Sequence, residues 1–195
     1  LAGLYKEEKR MELFRIKMET ERLILRRWKR PDFYDYALFA ADPEVMLAAG
    51  SKPMAGPDDH EAFGEALRDA DCFAIVFKET KRAIGSIKFQ KDIRRYKVNS
   101  TSIGYELGKQ YWGNGYMPEA LRAMIRHAFE HRKVDVISIG HFTVNEKSRR
   151  VIEKCGFRHE GTLRRAFRRF DGEMFDDECY SLLKEEYFAD PSLFR

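Results

Sequence analysis

The residues best suited to chemistry lie in Gly104–Tyr116, GYELGKQYWGNGY, where a strand end (Gly104–Gly108) gives way to a tight loop (Lys109–Asn114) and a helix running to about His131. Gln110-x-x-Gly113-x-Gly115 enters that helix through glycines, which tolerate positive φ and let a ligand approach the backbone closely. Consecutive N–H groups and the positive end of the helix dipole then converge on one spot, a ready site for phosphate. The third glycine of a dinucleotide fingerprint is missing, as is the Gly-Lys-Ser/Thr ending of a P-loop. No acidic residue about twenty positions on is placed to hold a ribose. Read alone, the loop is either an anion grip or a tight strand–helix turn.

The elements that must position this loop are legible from periodicity. Met117, Ala120, Leu121, Met124, Ile125, Ala128 and Phe129 recur at i, i+3, i+4 spacing and make one apolar stripe, with Glu119, Arg122, Arg126 and Glu130 on the other side. Pro118 falls in the first turn, where amides lack intrahelical partners anyway. Upstream, Arg22–Trp28 alternates as a strand, Asp32–Ala41 reads as a helix opened by Pro31, and Gly50–Pro57 as a loop. Asp58–Ala70 is a second helix, capped by Asp58 or Asp59. Cys72–Lys78, Ala83–Phe89, Ser100–Gly108 and Asp135–Thr143 read as strands, and Glu146–Cys155 as a short helix. Phe157–Phe170 and Met174–Leu183 form a closing hairpin, with a type I′ turn expected at Asp171-Gly172. This order predicts an α/β (α+β) domain, a mixed sheet of about seven strands with helices on both faces.

The 195 residues suffice for one domain, taken as residues 18–195 behind an N-terminal extension at 1–17 left out of the fold argument. Charged residues make up 35% of the chain against a net charge of only +4, a solvated surface without a nucleic-acid-binding tail. With no apolar run of membrane-spanning length and no secretory pattern, a soluble cytoplasmic protein is expected. Cys72, Cys155 and Cys179 are odd in number and scattered, which suits buried thiols and neither a disulfide framework nor a metal site. Arg164-Arg165-Ala166-Phe167-Arg168-Arg169 could meet RNA phosphates. Acidic residues across the hairpin neutralise much of that patch, and nucleic-acid binding is not expected.

IGYELGKQYWGNGYMPEALRAMIRHAF resembles the acetyl-CoA-binding motif of the GNAT superfamily of N-acetyltransferases, in particular the branch acting on ribosomal-protein N-terminal alanine and serine. TERLILRRW (20–28), AIGSIKF (83–89) and VNEKSRRVIEKCGFRHEGTLR (144–164) match in the same order, so the resemblance covers about Thr20 to Tyr187. It implies a GNAT fold in which strands 100–108 and 135–143 splay apart to admit the pantetheine arm. It also implies direct attack of a primary amine on acetyl-CoA, without a metal, by a monomer or homodimer. The acceptor expected is a protein N-terminus of ribosomal type. A small amine (polyamine, amino acid or antibiotic) and a CoA-binding regulatory module with little turnover are the alternatives.

Carried onto this chain, the resemblance gives the cofactor grip to Gln110, Tyr111, Trp112, Gly113, Asn114, Gly115 and Tyr116. It places oxyanion donors around Glu106–Leu107, and Asn145 as both helix cap and pantetheine contact. Glu106 is the expected base, its pKa raised by a desolvated cleft, with His141 as the other candidate. The tyrosine that commonly protonates the departing thiolate in the family is replaced here by Ile152, and the resembled branch, which has a serine near the CoA sulfur, implies Ser148 as the catalytic hydroxyl.

Overall fold

The computed structural model describes residues 16–56 and 58–194. The extension expected over residues 1–17 lies outside them up to residue 15, while Ile16 packs against the core and Lys17 opens strand β1 (Lys17–Glu19). Then come β2 (Leu23–Arg27), α1 (Phe33–Ala40), α2 (Pro43–Ala48), α3 (Glu61–Arg68), β3 (Cys72–Phe77) and β4 (Ala83–Gln90). The second half holds β5 (Ser100–Leu107), α4 (Tyr116–Glu130), β6 (Val136–Phe142), α5 (Glu146–Lys154), β7 (Arg158–Arg168), β8 (Met174–Leu183) and α6 (Lys184–Ala189).

Among the described residues the strands form one sheet of eight, in the order β1-β2-β3-β4-β5-β6-β8-β7, one more than expected because β1 pairs with β2. The extra helix α2 arises where Asp42-Pro43 restarts the chain: the Asp42 carboxylate accepts the Glu44 amide at 2.9 Å, and proline takes the first turn. At the next helix it is Asp59, not Asp58, that accepts the Glu61 amide (3.4 Å).

Alternation along the strands sorts their side chains into two cores. On one face Leu25, Ile75, Ile87, Ile103 and Leu107 meet the stripe of α4, whose Ala120, Leu121, Met124, Ile125, Ala128 and Phe129 are all buried. On the other, Ala74, Val76 and Ala83 meet Trp28, Tyr36, Phe39 and Phe63 from α1, α3 and the preceding loop. The three cysteines are buried free thiols. Among the described residues no helix is long and apolar enough to cross a membrane.

The sheet is continuous except at its one parallel junction. β5 and β6 pair only through Ser100↔Val136, Thr101↔Ile137 and Ser102↔Ser138. Beyond Ser102, β5 stays with β4 as far as Leu107↔Gly85, whereas β6 follows β8 as far as Phe142↔Asp177. The fork is pinned by the β4–β5 connection: the Ser138 hydroxyl donates to the buried Asp92 carboxylate at 2.6 Å, and Arg95 reaches both Ser138 and Glu160. Gly140 is small for a related reason, since a Cβ there would lie 2.7 Å from Asp177 Oδ1, where the Asp177–Arg94 ion pair crosses the strand.

Gly104 pairs in register with Lys88, so the opening comes from β6 leaving the ladder and not from a distortion of β5. The close backbone approach falls at Gly85, where a Cβ would sit 2.4 Å from the Glu106 carbonyl oxygen and 3.0 Å from Leu107 Cα. Gly85→Ala should therefore cost about 1–3 kcal/mol through forced strand separation. Calorimetry would show this as a lowered Tm, and a wild-type Tm would mean that the two strands part freely.

The hairpin turn also differs from expectation. Gly172 is left-handed (φ +91°) but Asp171 is not, and the amides of Gly172 and Arg169 close on Arg169 (2.9 Å) and Glu173 (2.8 Å) carbonyls. This is a three-residue loop ending in a left-handed glycine, with Asp171 bonded to the Arg169 guanidinium and the Glu173 amide.

Candidate active site

The fork between β5 and β6 opens into a cleft of about 1730 Å³ that runs from the glycine loop to the β7–β8 hairpin. At its loop end, Gly113 (φ +78°) and Gly115 (φ +79°) take the left-handed conformation that permits the chain to turn into α4. Glycine at the N-cap supplies no side-chain cap. The consecutive amides of Gly113 to Met117 donate to no protein acceptor among the described residues, the first helical bond being from Glu119 N to Gly115 O. A Cβ on Gly113 would meet nothing within 4 Å. Unpaired amides, a helix N-terminus and open space together make an anion cradle.

The loop is braced from behind. Arg22 pairs with Glu119 (2.7 Å), donates to the Asn114 carbonyl oxygen (3.0 Å) and lies over the Tyr116 ring. The Trp112 indole donates to the Leu107 carbonyl oxygen at 2.7 Å, tying the loop to the end of β5.

Of the residues expected to grip a cofactor, Leu107, Trp112, Gly113, Gly115, Tyr116 and Asn145 line the cleft, as do Glu106 and Ser148. Gln110 and Tyr111 do not; the 3-10 turn Lys109–Tyr111 sends them to a separate pocket of about 210 Å³ beside Asp35 and Arg82. The Asn114 side chain folds back onto the Trp112 carbonyl oxygen (3.0 Å). Because Gly108 N bonds Ile84 O, alternation along the antiparallel pair turns the Leu107 amide away from β4 and into the gap. Of the expected oxyanion donors, Leu107 is thus the one in position.

Glu106 lies on the sheet face bearing Lys88 and Tyr36, closely surrounded by protein yet open to the cleft. Its carboxylate makes no hydrogen bond or ion pair among the described residues. Desolvation raises its pKa above the ordinary glutamate value, and the charge of Lys88 opposes this only in part. Glu160, which also lines the cleft, is already held by Arg95 and the Ser181 hydroxyl, both at 2.7 Å. His141 belongs to the opposite face: its Nδ1 is 2.8 Å from the Phe142 carbonyl oxygen and its Nε2 3.3 Å from the Tyr180 hydroxyl. That arrangement suits a packed residue better than a base directed at Glu106's side of the sheet.

On the α5 side, Asn145 caps the helix by accepting the Ser148 amide at 3.1 Å. Its NH₂ group bonds the Ala48 carbonyl oxygen (3.1 Å), so α2 is tied to α5 across the cleft. Glu44 of α2 makes a parallel bridge to Lys109 and Lys147 (3.0 Å to the latter). Ile152, one turn after Ser148, is fully buried and carries no proton to give. Sequence reasoning missed Tyr105, whose hydroxyl is 2.8 Å from Ser148 Oγ.

The cleft thus combines an anion cradle, a free strand amide, a desolvated carboxylate and a helix-borne hydroxyl. That set can hold a phosphorylated thioester, stabilise charge on its carbonyl and accept a proton from a nucleophile.

A family model for an acetyltransferase (GNAT) domain matches residues 22–158. The Bacillus subtilis N-acetyltransferase YoaA is 30% identical over 180 residues, covering 86% of this chain and 96% of its own. The Escherichia coli alanine N-acetyltransferase of ribosomal protein uS5 is 28% identical over 89 residues, 46% of this chain and 45% of its own. A solved GNAT-family acetyltransferase from Bacillus anthracis superposes with a TM-score of 0.78 at 25% identity, covering 88% of this chain and 100% of that one.

Proposed function

The chain belongs to the GNAT acetyltransferase family and is an N-acetyltransferase, and we propose that the amine it acetylates is a protein N-terminus. The family uses acetyl-CoA, and the residues present fit it. The Gly113–Met117 amides would hold the pyrophosphate, and the fork would take the pantetheine arm as an added strand beside β5. When bound, acetyl-CoA supplies the activated acyl group. The chain's own residues supply the rest: the Leu107 amide faces the developing oxyanion, Glu106 receives the amine proton, and Ser148 faces the departing sulfur.

The observation that carries the acceptor reading is the setting of Glu106, a lone unbonded carboxylate on an open cleft. An N-terminal amine has a pKa of about 8, against about 10.4 for a lysine side chain. The gap that a single desolvated carboxylate has to bridge is smaller for the former. The partial similarity to a ribosomal-protein alanine acetyltransferase supports the same acceptor class.

The test is release of free thiol from acetyl-CoA with a panel of amines. Peptides beginning with Ala or Ser should turn over, and the same peptides with a blocked N-terminus should not. Turnover with spermidine or free amino acids alone would replace the proposed acceptor. Binding of acetyl-CoA with no turnover on any amine would make the protein a CoA-binding module.

A further inference from the structure

We propose that Tyr105 is a positioning residue for the reaction, holding the Ser148 hydroxyl so that its proton points at the sulfur of the acyl donor. The inference rests on the proposed part played by Ser148 and adds a residue to it. Alternation along β5 puts Glu106 on one sheet face and Tyr105 on the other, so the two flank the fork from opposite sides. From there the Tyr105 hydroxyl reaches the first turn of α5, 2.8 Å from Ser148 Oγ and 3.5 Å from the Ser148 carbonyl oxygen. The serine amide is fixed separately by Asn145. Ser148 and Ile152 share one helix face, one turn apart. The phenol missing at position 152 is thus delivered to that face by a strand.

Two hydroxyls in contact share two protons, and only one arrangement serves the reaction. If Ser148 donates to Tyr105, its proton is spent within the protein. If Tyr105 donates to Ser148 Oγ, the serine proton is free to point into the cleft. Burial pushes the Tyr105 pKa up, so the phenol keeps its proton and remains available as the donor. In the reaction the amine nitrogen forms its bond to the acyl carbon and the carbon–sulfur bond breaks, the electron pair leaving on sulfur. The Ser148 hydroxyl stabilises that charge by hydrogen-bond donation and keeps its proton. The amine proton taken by the base passes to water in the cleft, from which the thiolate is protonated.

The experiment is a double-mutant cycle of Tyr105→Phe and Ser148→Ala, read by kcat and by calorimetric binding of CoA and of desulfo-CoA, which lacks the sulfur. Tyr105→Phe should lower kcat roughly tenfold, short of the ~10²–10⁴-fold associated with full proton transfer. KM for acetyl-CoA should hold, and the variant should lose part of the affinity advantage of CoA over desulfo-CoA. In the Ser148→Ala background it should cost nothing further, because the two residues act as one unit.

An impaired Ser148→Ala beside a Tyr105→Phe with wild-type kcat would overturn this inference and leave the reading of Ser148 standing. Wild-type kcat in Ser148→Ala would overturn both. An equal loss from Tyr105→Phe in either background would reduce Tyr105 to packing. Tyr105→Leu, which also lacks the hydroxyl, serves as the second variant if Phe lowers the Tm.

Discussion

Glu106→Gln is expected to lower kcat/KM at pH 7 by about 10²–10⁴-fold, the range of a lost general base. Acetyl-CoA affinity should be nearly unchanged, because the anion cradle is built of loop amides and not of this side chain. The deficit should shrink as pH rises toward about 9, where an N-terminal amine with a pKa of about 8 arrives already deprotonated. A stability measurement gives an independent reading. Desolvation raises the folded-state pKa of Glu106 above the unfolded value of about 4.3, so over that window the native state binds more protons than the unfolded chain. This contribution to stability is present below the unfolded pKa and is lost as pH rises through the raised one. Above the raised pKa the wild type carries a desolvated charge that the glutamine variant lacks. Glu106→Gln should match or exceed the wild-type Tm at pH 7, with the difference narrowing on acidification. A variant that keeps the wild-type pH–rate profile would remove Glu106 from the mechanism. A variant that melts lower at pH 7 would mean that the carboxylate has a stabilising partner.

The parts of this molecule that were legible in its sequence are those governed by local periodicity. The α4 stripe recurs over fifteen residues, and the glycine spacing ahead of it forces left-handed turns, so that helix and its loop were readable together. Glu106 was legible because it lies only a few residues before the loop. Helix α2 was missed because six residues are too few to display a helical period, yet its Glu44 and Ala48 close one side of the cleft.

Tyr105 was invisible for a different reason. In an alternating strand it reads as one more inward aromatic, and the hydroxyl that gives it meaning is 43 positions away on another element. Gln110 and Tyr111 show the converse: the motif reads as one ligand surface, whereas a single 3-10 turn sets these two beside a separate pocket. The fork was legible through the family resemblance and not from local pattern, because which of two neighbours β6 follows is settled by Ser138, Asp92 and Gly140 acting across the sheet.

Gly115→Val should abolish the stabilisation that acetyl-CoA confers on the fold. Ligand at about 100 times its dissociation constant adds about 2.7 kcal/mol. For a chain of this size that corresponds to a rise in Tm of about 5–10 °C. Gly115 sits at φ +79°, where its Cβ would come no closer than 3.5 Å, to a flexible guanidinium nitrogen of Arg22. Steric collision with the protein is therefore not the cause of the expected loss. The cause is the backbone: a β-branched residue is strongly disfavoured in the left-handed region, at a cost of about 1–3 kcal/mol, which the loop can relieve by leaving that conformation. Once it does, the amides of Gly113 to Met117 no longer converge, and the N-terminus of α4 is no longer presented to the pyrophosphate. The apo Tm should fall by only a few degrees, since the α4 stripe and the Arg22–Glu119 brace lie outside the altered dihedral. Gly115→Ala, with the same φ problem but no branching, should retain a reduced shift. An undiminished acetyl-CoA shift in Gly115→Val would mean that the phosphate grip lies elsewhere, and Lys109 and Lys147, released from Glu44, would be the next groups to test.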